Sequence, residues 1–247
     1  MSVLEVLQMG ARAWTEPRSI RVFIPDNLNP REARVLVMLD GQNAFDQSTA
    51  FIESWNAHQV LQARAMKGEA FAVVAIDNAG EAHARLHEYN LKKGASALGE
   101  AIFSDVLPKI GREYGLKMHG QNIAVMGAGL AGVCALYLGL KYSVALTACI
   151  SPSLWVWGPD VNAFIHASQG HNRIYLDTGT HEAGAHALNQ ENLKKVRALR
   201  EDLIRAGHQV AYQEVTGATH SEKHWRLRLP VVLDAFMNFD EVSKIWH

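Results

Sequence analysis

The order of elements along this 247-residue chain predicts an α/β fold, with a mostly parallel central sheet and helices on both faces. Two observations carry the prediction. Short runs such as Arg34–Leu39 (RVLVML) and Phe71–Ile76 (FAVVAI) are almost continuously apolar and rich in β-branched residues, which suits strands buried on both faces. Segments of helical periodicity separate such runs, as crossover connections between parallel strands require.

The elements follow in order. Residues 19–25 (SIRVFIP) alternate and stop at a turn, as an early antiparallel strand would. Arg34–Leu39 ends at Asp40-Gly41, and Phe71–Ile76 ends at Asp77-Asn78. Between them, residues 54–66 place Trp55, Val60, Leu61 and Ala65 at helical spacing. A helix over 101–114 precedes a third buried strand at 123–126. Leu146–Ile150 and residues 173–176 supply two more strands. A helix over 189–206 meets Gly207, a fitting C-cap, before the strand Gln209–Val215 and a last helix at 230–239. No linker, repeat or low-complexity stretch divides the sequence, so residues 1–247 read as a single domain.

Composition narrows the function classes. A net charge of −1 leaves no basic excess to neutralise phosphates, which argues against nucleic acid and anionic membrane as partners. The apolar runs fall far short of the ~20 residues that span a bilayer. Glu5 interrupts the apolar core that a signal peptide would need, and with only two cysteines (Cys134 and Cys149) no disulfide framework is implied. A reducing cytoplasm is the expected compartment. An edge strand near Ser19 offers a surface for a homo-oligomer.

In a parallel sheet, ligands bind beyond the carboxyl ends of the strands. The loops there begin with Asp40-Gly41-Gln42-Asn43 and Asp77-Asn78, and continue with the turn after residue 126, Ser151 to Trp155, Asp177 to Glu182, and Gly217 to His220. The turn reads Gly127-Ala128-Gly129-Leu130-Ala131-Gly132. It matches the dinucleotide-binding pattern G-x-G-x-x-G, and equally a nucleophile elbow G-x-S-x-G with glycine at the serine position. The dinucleotide reading lacks the acid that should end the next strand and hold a ribose, since no acidic residue lies between Gly127 and Asp160. The order turn, acid, histidine is that of an α/β-hydrolase.

The chain resembles the putative-esterase family of α/β-hydrolases, the group of enterobactin esterase-like proteins, esterase D and the mycolyltransferases. The likeness rests on LDGQNAFD (39–46), VVAIDN (73–78) with Glu88-Tyr89, CALYLGLKY (134–142), SPSLW (151–155), YLDTGTHE (175–182) and THSEKHWRLRLP (219–230). It covers roughly residues 18–238 and implies ester hydrolysis or acyl transfer on a small-molecule ester or acyl substrate, with no cofactor. Position by position it makes His220 the general base and Glu182 the acid that orients it, with Asp177 as runner-up. The N–H groups of Gln42 and Leu130 become the oxyanion hole, and Trp155 and Trp157, read as loop residues, wall the substrate pocket. Two departures stand out. Ala131 replaces a glycine, which the turn tolerates. Gly129 replaces the serine, which removes the nucleophile and predicts a catalytically disabled hydrolase. The alternatives are a pseudoenzyme that binds an ester-like ligand and a dinucleotide-binding protein.

The twelve histidines invite a metal reading, but the sequence does not support one. His181 and His186 are one residue too far apart for H-E-x-x-H, and His83 with His87 has i, i+4 spacing but no third ligand. No metal is expected.

Overall fold

The computed structural model describes residues 2–168 and 170–245; the side chains of residues 157–159 lie outside that description. It contains one eight-stranded sheet. In chain order the strands are β1 (Val3–Met9), β2 (Arg18–Ile24), β3 (Arg34–Leu39), β4 (Phe71–Ile76), β5 (Ile123–Ala128), β6 (Leu146–Ile150), β7 (Arg173–Gly179) and β8 (Gln209–Val215). Across the sheet they run β1-β2-β4-β3-β5-β6-β7-β8. β1–β2 and β2–β4 are antiparallel, and every other pairing is parallel.

The helices are α1 (Ala57–Ala65), α2 (Ala82–Glu88), α3 (Gly94–Glu100), α4 (Leu107–Tyr114), α5 (Leu130–Tyr142), α6 (Leu154–Ala167), α7 (His186–Arg205), α8 (Glu222–Trp225), α9 (Leu229–Met237) and α10 (Phe239–Ile245). A π-helical stretch, Ala101–Val106, joins α3 to α4, so the helix expected at 101–114 begins earlier and is not α-helical throughout.

Why helices cover both faces follows from the pleat. Successive side chains of a strand point to opposite faces. Val35, Val37 and Leu39 of β3 join Val125 of β5 in a core with α3 to α7, while Leu36 and Met38 join Ala124 and Met126 in a second core with α1, α9 and α10. Helix α5 is buried around nearly its whole circumference, which explains why its sequence is apolar without a polar face. The parallel register brings the ends of β3 to β8 to one edge: Leu39 faces Ile76, Ala128 faces Ile150, and Gly179 faces Val215. Every strand-end loop named from the sequence therefore meets at that edge.

Three further details differ from the sequence expectation. The strand at residues 19–25 is not an edge, because β1 pairs along its whole length, and the edges are β1 and β8. β7 runs on through Asp177 and Thr178, which are strand residues rather than loop residues. The final helix breaks at Asn238 into α9 and α10. Cys134 and Cys149 are buried and free.

Candidate active site

The site is built on the turn between β5 and α5. Gly129 holds φ 62° and ψ −121°, a backbone that residues with a β-carbon enter only under strain. Its N–H donates to the Ile150 carbonyl at 2.9 Å, and its own carbonyl accepts the Ser153 N–H at 3.1 Å, so the turn is stitched to the β6 loop. Gly127 is required for a different reason. A β-carbon there would lie 2.3 Å from the Ala131 carbonyl oxygen, so strand and helix approach too closely for any side chain.

A β-carbon added at Gly129 would stand 3.1 Å from His220 Nε2 and 3.5 Å from Ser153 Oγ. His220 thus faces the vacant side-chain position directly. Its other ring nitrogen, Nδ1, lies 2.6 Å from Glu182 Oε2. Burial acts to raise the Glu182 carboxyl, but hydrogen bonds from His220, Ser151 and the Gly179 N–H outweigh it and hold the group below the ordinary glutamate range. An ionised Glu182 accepts from Nδ1–H, which leaves Nε2 bare and pointing at residue 129. The ring is fixed from both sides by edge contacts with Trp155 and Trp225, at 5.2 and 4.8 Å between ring centres. The Thr219 N–H donates to His224 Nδ1 at 3.0 Å, closing the turn that carries His220.

Behind Glu182 lies a buried polar hub. The Ser151 hydroxyl donates to Glu182 Oε1 at 2.6 Å and accepts from Arg228 Nη1 at 2.5 Å. Arg228 Nη1 also donates to Asp177 Oδ1 at 2.9 Å, and the Tyr175 hydroxyl donates to Asp177 Oδ2 at 2.9 Å. Asp177 is wholly buried in β7, and desolvation pushes its carboxyl up to about 6 against the pull of Arg228. Its oxygens are used by Arg228, Tyr175 and the Ser151 N–H, whereas His220 bonds Glu182. Ser151 itself sits at φ 43°, a strained conformation held by these bonds.

A cavity of about 320 Å³ opens in front of Gly129, lined among others by Gln42, Leu130, Ser153, His220 and Trp225. Leu130 is the first residue of α5 and Gln42 lies in the short helical turn Gly41–Asn43, so each presents an N–H of a helix's first turn, where no intrahelical acceptor exists. The β3 loop is locked: Asp40 accepts from Arg85 Nε at 2.8 Å and Nη2 at 2.6 Å, from Asn78 Nδ2 at 2.6 Å and from the Tyr89 hydroxyl at 2.9 Å. That network gives the D-G-Q-N, D-N and E-Y segments a structural purpose.

Of the two tryptophans, Trp155 is 57% exposed on the first turn of α6, not in a loop, and touches His220. The side chain of Trp157 lies outside the described residues. Sequence reasoning missed Ser151, Ser153, Arg228 and Glu222. Only the two serines carried a signal, as polar residues at a strand end. Among the described residues, no three His, Cys, Asp or Glu side chains gather in a way that could hold a metal ion. No described helix is long and apolar enough to cross a membrane.

A mostly parallel sheet with an elbow turn after a central strand, and an acid and a histidine on later strand ends, defines an α/β-hydrolase fold. The chain belongs to the esterase family described as "Putative esterase", whose model matches residues 12–236. No curated protein matches its sequence. Among solved structures it is similar to the enterobactin esterase FES from Shigella flexneri in the presence of enterobactin: 19% identity, TM-score 0.75, 95% of this chain and 58% of that one. The chain thus spans little more than half of that enzyme's length. It is also similar to the BES protein from Bacillus cereus (16% identity, TM-score 0.72, 96% of each chain). A third is the ferulic acid esterase AmCE1/Fae1A from Anaeromyces mucronatus (14% identity, TM-score 0.69, 95% of this chain and 91% of that one). At these identities the likeness is one of fold.

Proposed function

We propose that the protein is a carboxylic-ester hydrolase of the serine type whose nucleophile position is glycine, so that it binds an ester or acyl compound but hydrolyses it little. The observation that carries this reading is the direct approach of His220 Nε2 to the β-carbon position of Gly129, with Glu182 behind the ring. With a hydroxyl at residue 129, Nε2 would take its proton as the oxygen attacks the ester carbonyl. The N–H groups of Gln42 and Leu130 would receive the oxyanion, and the histidine would return the proton to the departing alcohol. Without it, His220 has no protein hydroxyl to activate at that position.

The surroundings of the turn favour the ester reading over the dinucleotide one. A pyrophosphate would have to approach Gly129 where His220 and Ser153 already stand. The pseudoenzyme reading is favoured by the same glycine that disables the chemistry.

The test is hydrolysis of para-nitrophenyl esters by this chain, by Gly129→Ser and by Gly129→Ser/His220→Ala. Activity confined to the serine variant, and lost with the histidine, supports the reading. A folded but inert Gly129→Ser protein leaves the pseudoenzyme in its place.

A further inference from the structure

Glu222 lies two residues past His220, in the first turn of the short helix α8, and lines the same cavity. The residue is only 6% exposed, so it is turned inward rather than standing in water as a first-turn acid on an exposed helix would. Among the described residues no other side chain hydrogen-bonds or ion-pairs with its carboxylate, which has only its own backbone N–H nearby to oppose burial. The other buried acids around the site are all neutralised. Asp177 has Arg228, Glu88 has Arg18, and Glu182 has Arg228 at 4.0 Å together with hydrogen bonds from His220, Ser151 and the Gly179 N–H. Among the described residues near the site, Glu222 is thus the inward-turned acid whose carboxylate has no cationic partner and opens on the cavity, whereas charges in such settings are as a rule paired.

The neighbouring charges do not supply the partner. Arg85 faces the same cavity, but two of its nitrogens are committed to Asp40. Two carboxylates and one guanidinium therefore share this wall, and the excess is negative. Burial raises the Glu222 carboxyl, with Asp40 adding to the effect and Arg85 and His220 opposing it. Aromatic faces complete the surroundings: Trp55 and Trp225 line the cavity, and Phe51, 80% exposed, stands at its mouth. An unpaired carboxylate beside indole and phenyl rings is a receptor for an organic ammonium group, which takes both a charge-assisted hydrogen bond and cation–π attraction.

We propose that the ester recognised by this site carries a protonated amine, bound by Glu222. The inference rests on the ester-binding reading above and names the class of ligand. A charged hydrogen bond formed in this partly screened cavity corresponds to a preference of about ten-fold over an uncharged isostere.

The experiment uses the chain as it stands, in which the glycine at residue 129 is expected to leave esters intact during calorimetric titration. The probes are benzyl 4-aminobutyrate, its uncharged isostere benzyl pentanoate, and the anionic benzyl hydrogen succinate. The expected affinity order is cation, then neutral, then anion, and in Glu222→Gln the cation-to-neutral ratio falls towards one. Equal binding of the cationic and neutral esters overturns the proposal while leaving the ester site standing. So does a preference that survives Glu222→Gln. If no ester binds, the ester-binding reading fails as well. The charge series on the unmodified chain keeps the test decisive even if Glu222→Gln does not fold.

Discussion

On the proposed function, replacing Gly129 by serine should give activity and cost stability at once. The cost comes from the backbone, since φ 62° with ψ −121° is a region where a side chain is strained by about 1–3 kcal/mol. Crowding adds to it. The new β-carbon would meet His220 Nε2 at 3.1 Å, so the imidazole must give by a few tenths of an ångström while Glu182 and two indoles hold it. In a chain of this size each kcal/mol moves Tm by about 2–4 °C, so a fall of about 2–12 °C is expected. The gain comes from the hydroxyl. Loss of the serine in a comparable triad costs on the order of 10⁶ in turnover, with oxyanion donors and binding leaving roughly 10³-fold over water. A rise of about 10³-fold or more in para-nitrophenyl butyrate hydrolysis should follow. Calorimetry and initial rates on the same preparation read both effects. Gly129→Ala separates them, giving the Tm loss without the activity. A Gly129→Ser protein that melts no lower than its parent would refute the strain argument, and one that folds without activity would refute the alignment of His220.

Three further outcomes follow. In the Gly129→Ser background, Glu182→Gln should lower kcat by roughly 10³- to 10⁴-fold with a much smaller change in KM, because the amide no longer fixes the histidine's tautomer; steady-state kinetics reads it. Arg228→Met removes the only cation bonded to the wholly buried Asp177 among the described residues and should destabilise the fold by about 3–5 kcal/mol, visible as a Tm loss well beyond that of Gly129→Ser. Burial pushes Asp177 from an ordinary 3.8 up to about 6, so between those values the folded chain holds a proton that the unfolded chain has released. Its contribution to stability is complete below about pH 3.8 and is lost as pH rises through about 6. Denaturant titrations should show that component of the decline in the parent and not in Asp177→Asn.

Much of the fold was legible because its buried strands are continuous apolar runs. β3, β4, β6 and β8 start and stop where the sequence indicates. β1 was not legible, because its burial follows from pairing with β2 at the sheet's edge while Leu4 and Val6 face outward, so its hydrophobicity marks no core. β7 was cut short at Leu176, because Asp177 and Thr178 look like a loop until Arg228, 51 positions away, is seen to neutralise the aspartate inside the sheet. The same long-range pairing explains why the sequence could not choose between Asp177 and Glu182. Local spacing puts both near a strand end, and only the fold puts Glu182 against His220 and turns Asp177 away. The strand-end loops of the cavity, Ser153 among them, were legible, whereas Glu222 was not, since nothing local says which way its side chain turns.

The site is best understood as a relay of support rather than a set of separate residues. Arg228 neutralises Asp177 and hydrogen-bonds Ser151; Ser151, strained at φ 43°, gives its hydroxyl to Glu182; Glu182 fixes His220; and His220 faces residue 129. Each link places polar or charged atoms where water is largely excluded, and a core of apolar residues would be no less stable. Strain at Ser151 and at the elbow, like buried charge at Asp177 and Glu182, is what the proposed function asks for, since it positions the His220 ring. Gly129 relieves strain at only the last link. Everything behind it holds His220 Nε2 against the β-carbon position of residue 129, and the proposed ester chemistry or ester recognition would give that geometry a use that stability alone does not supply.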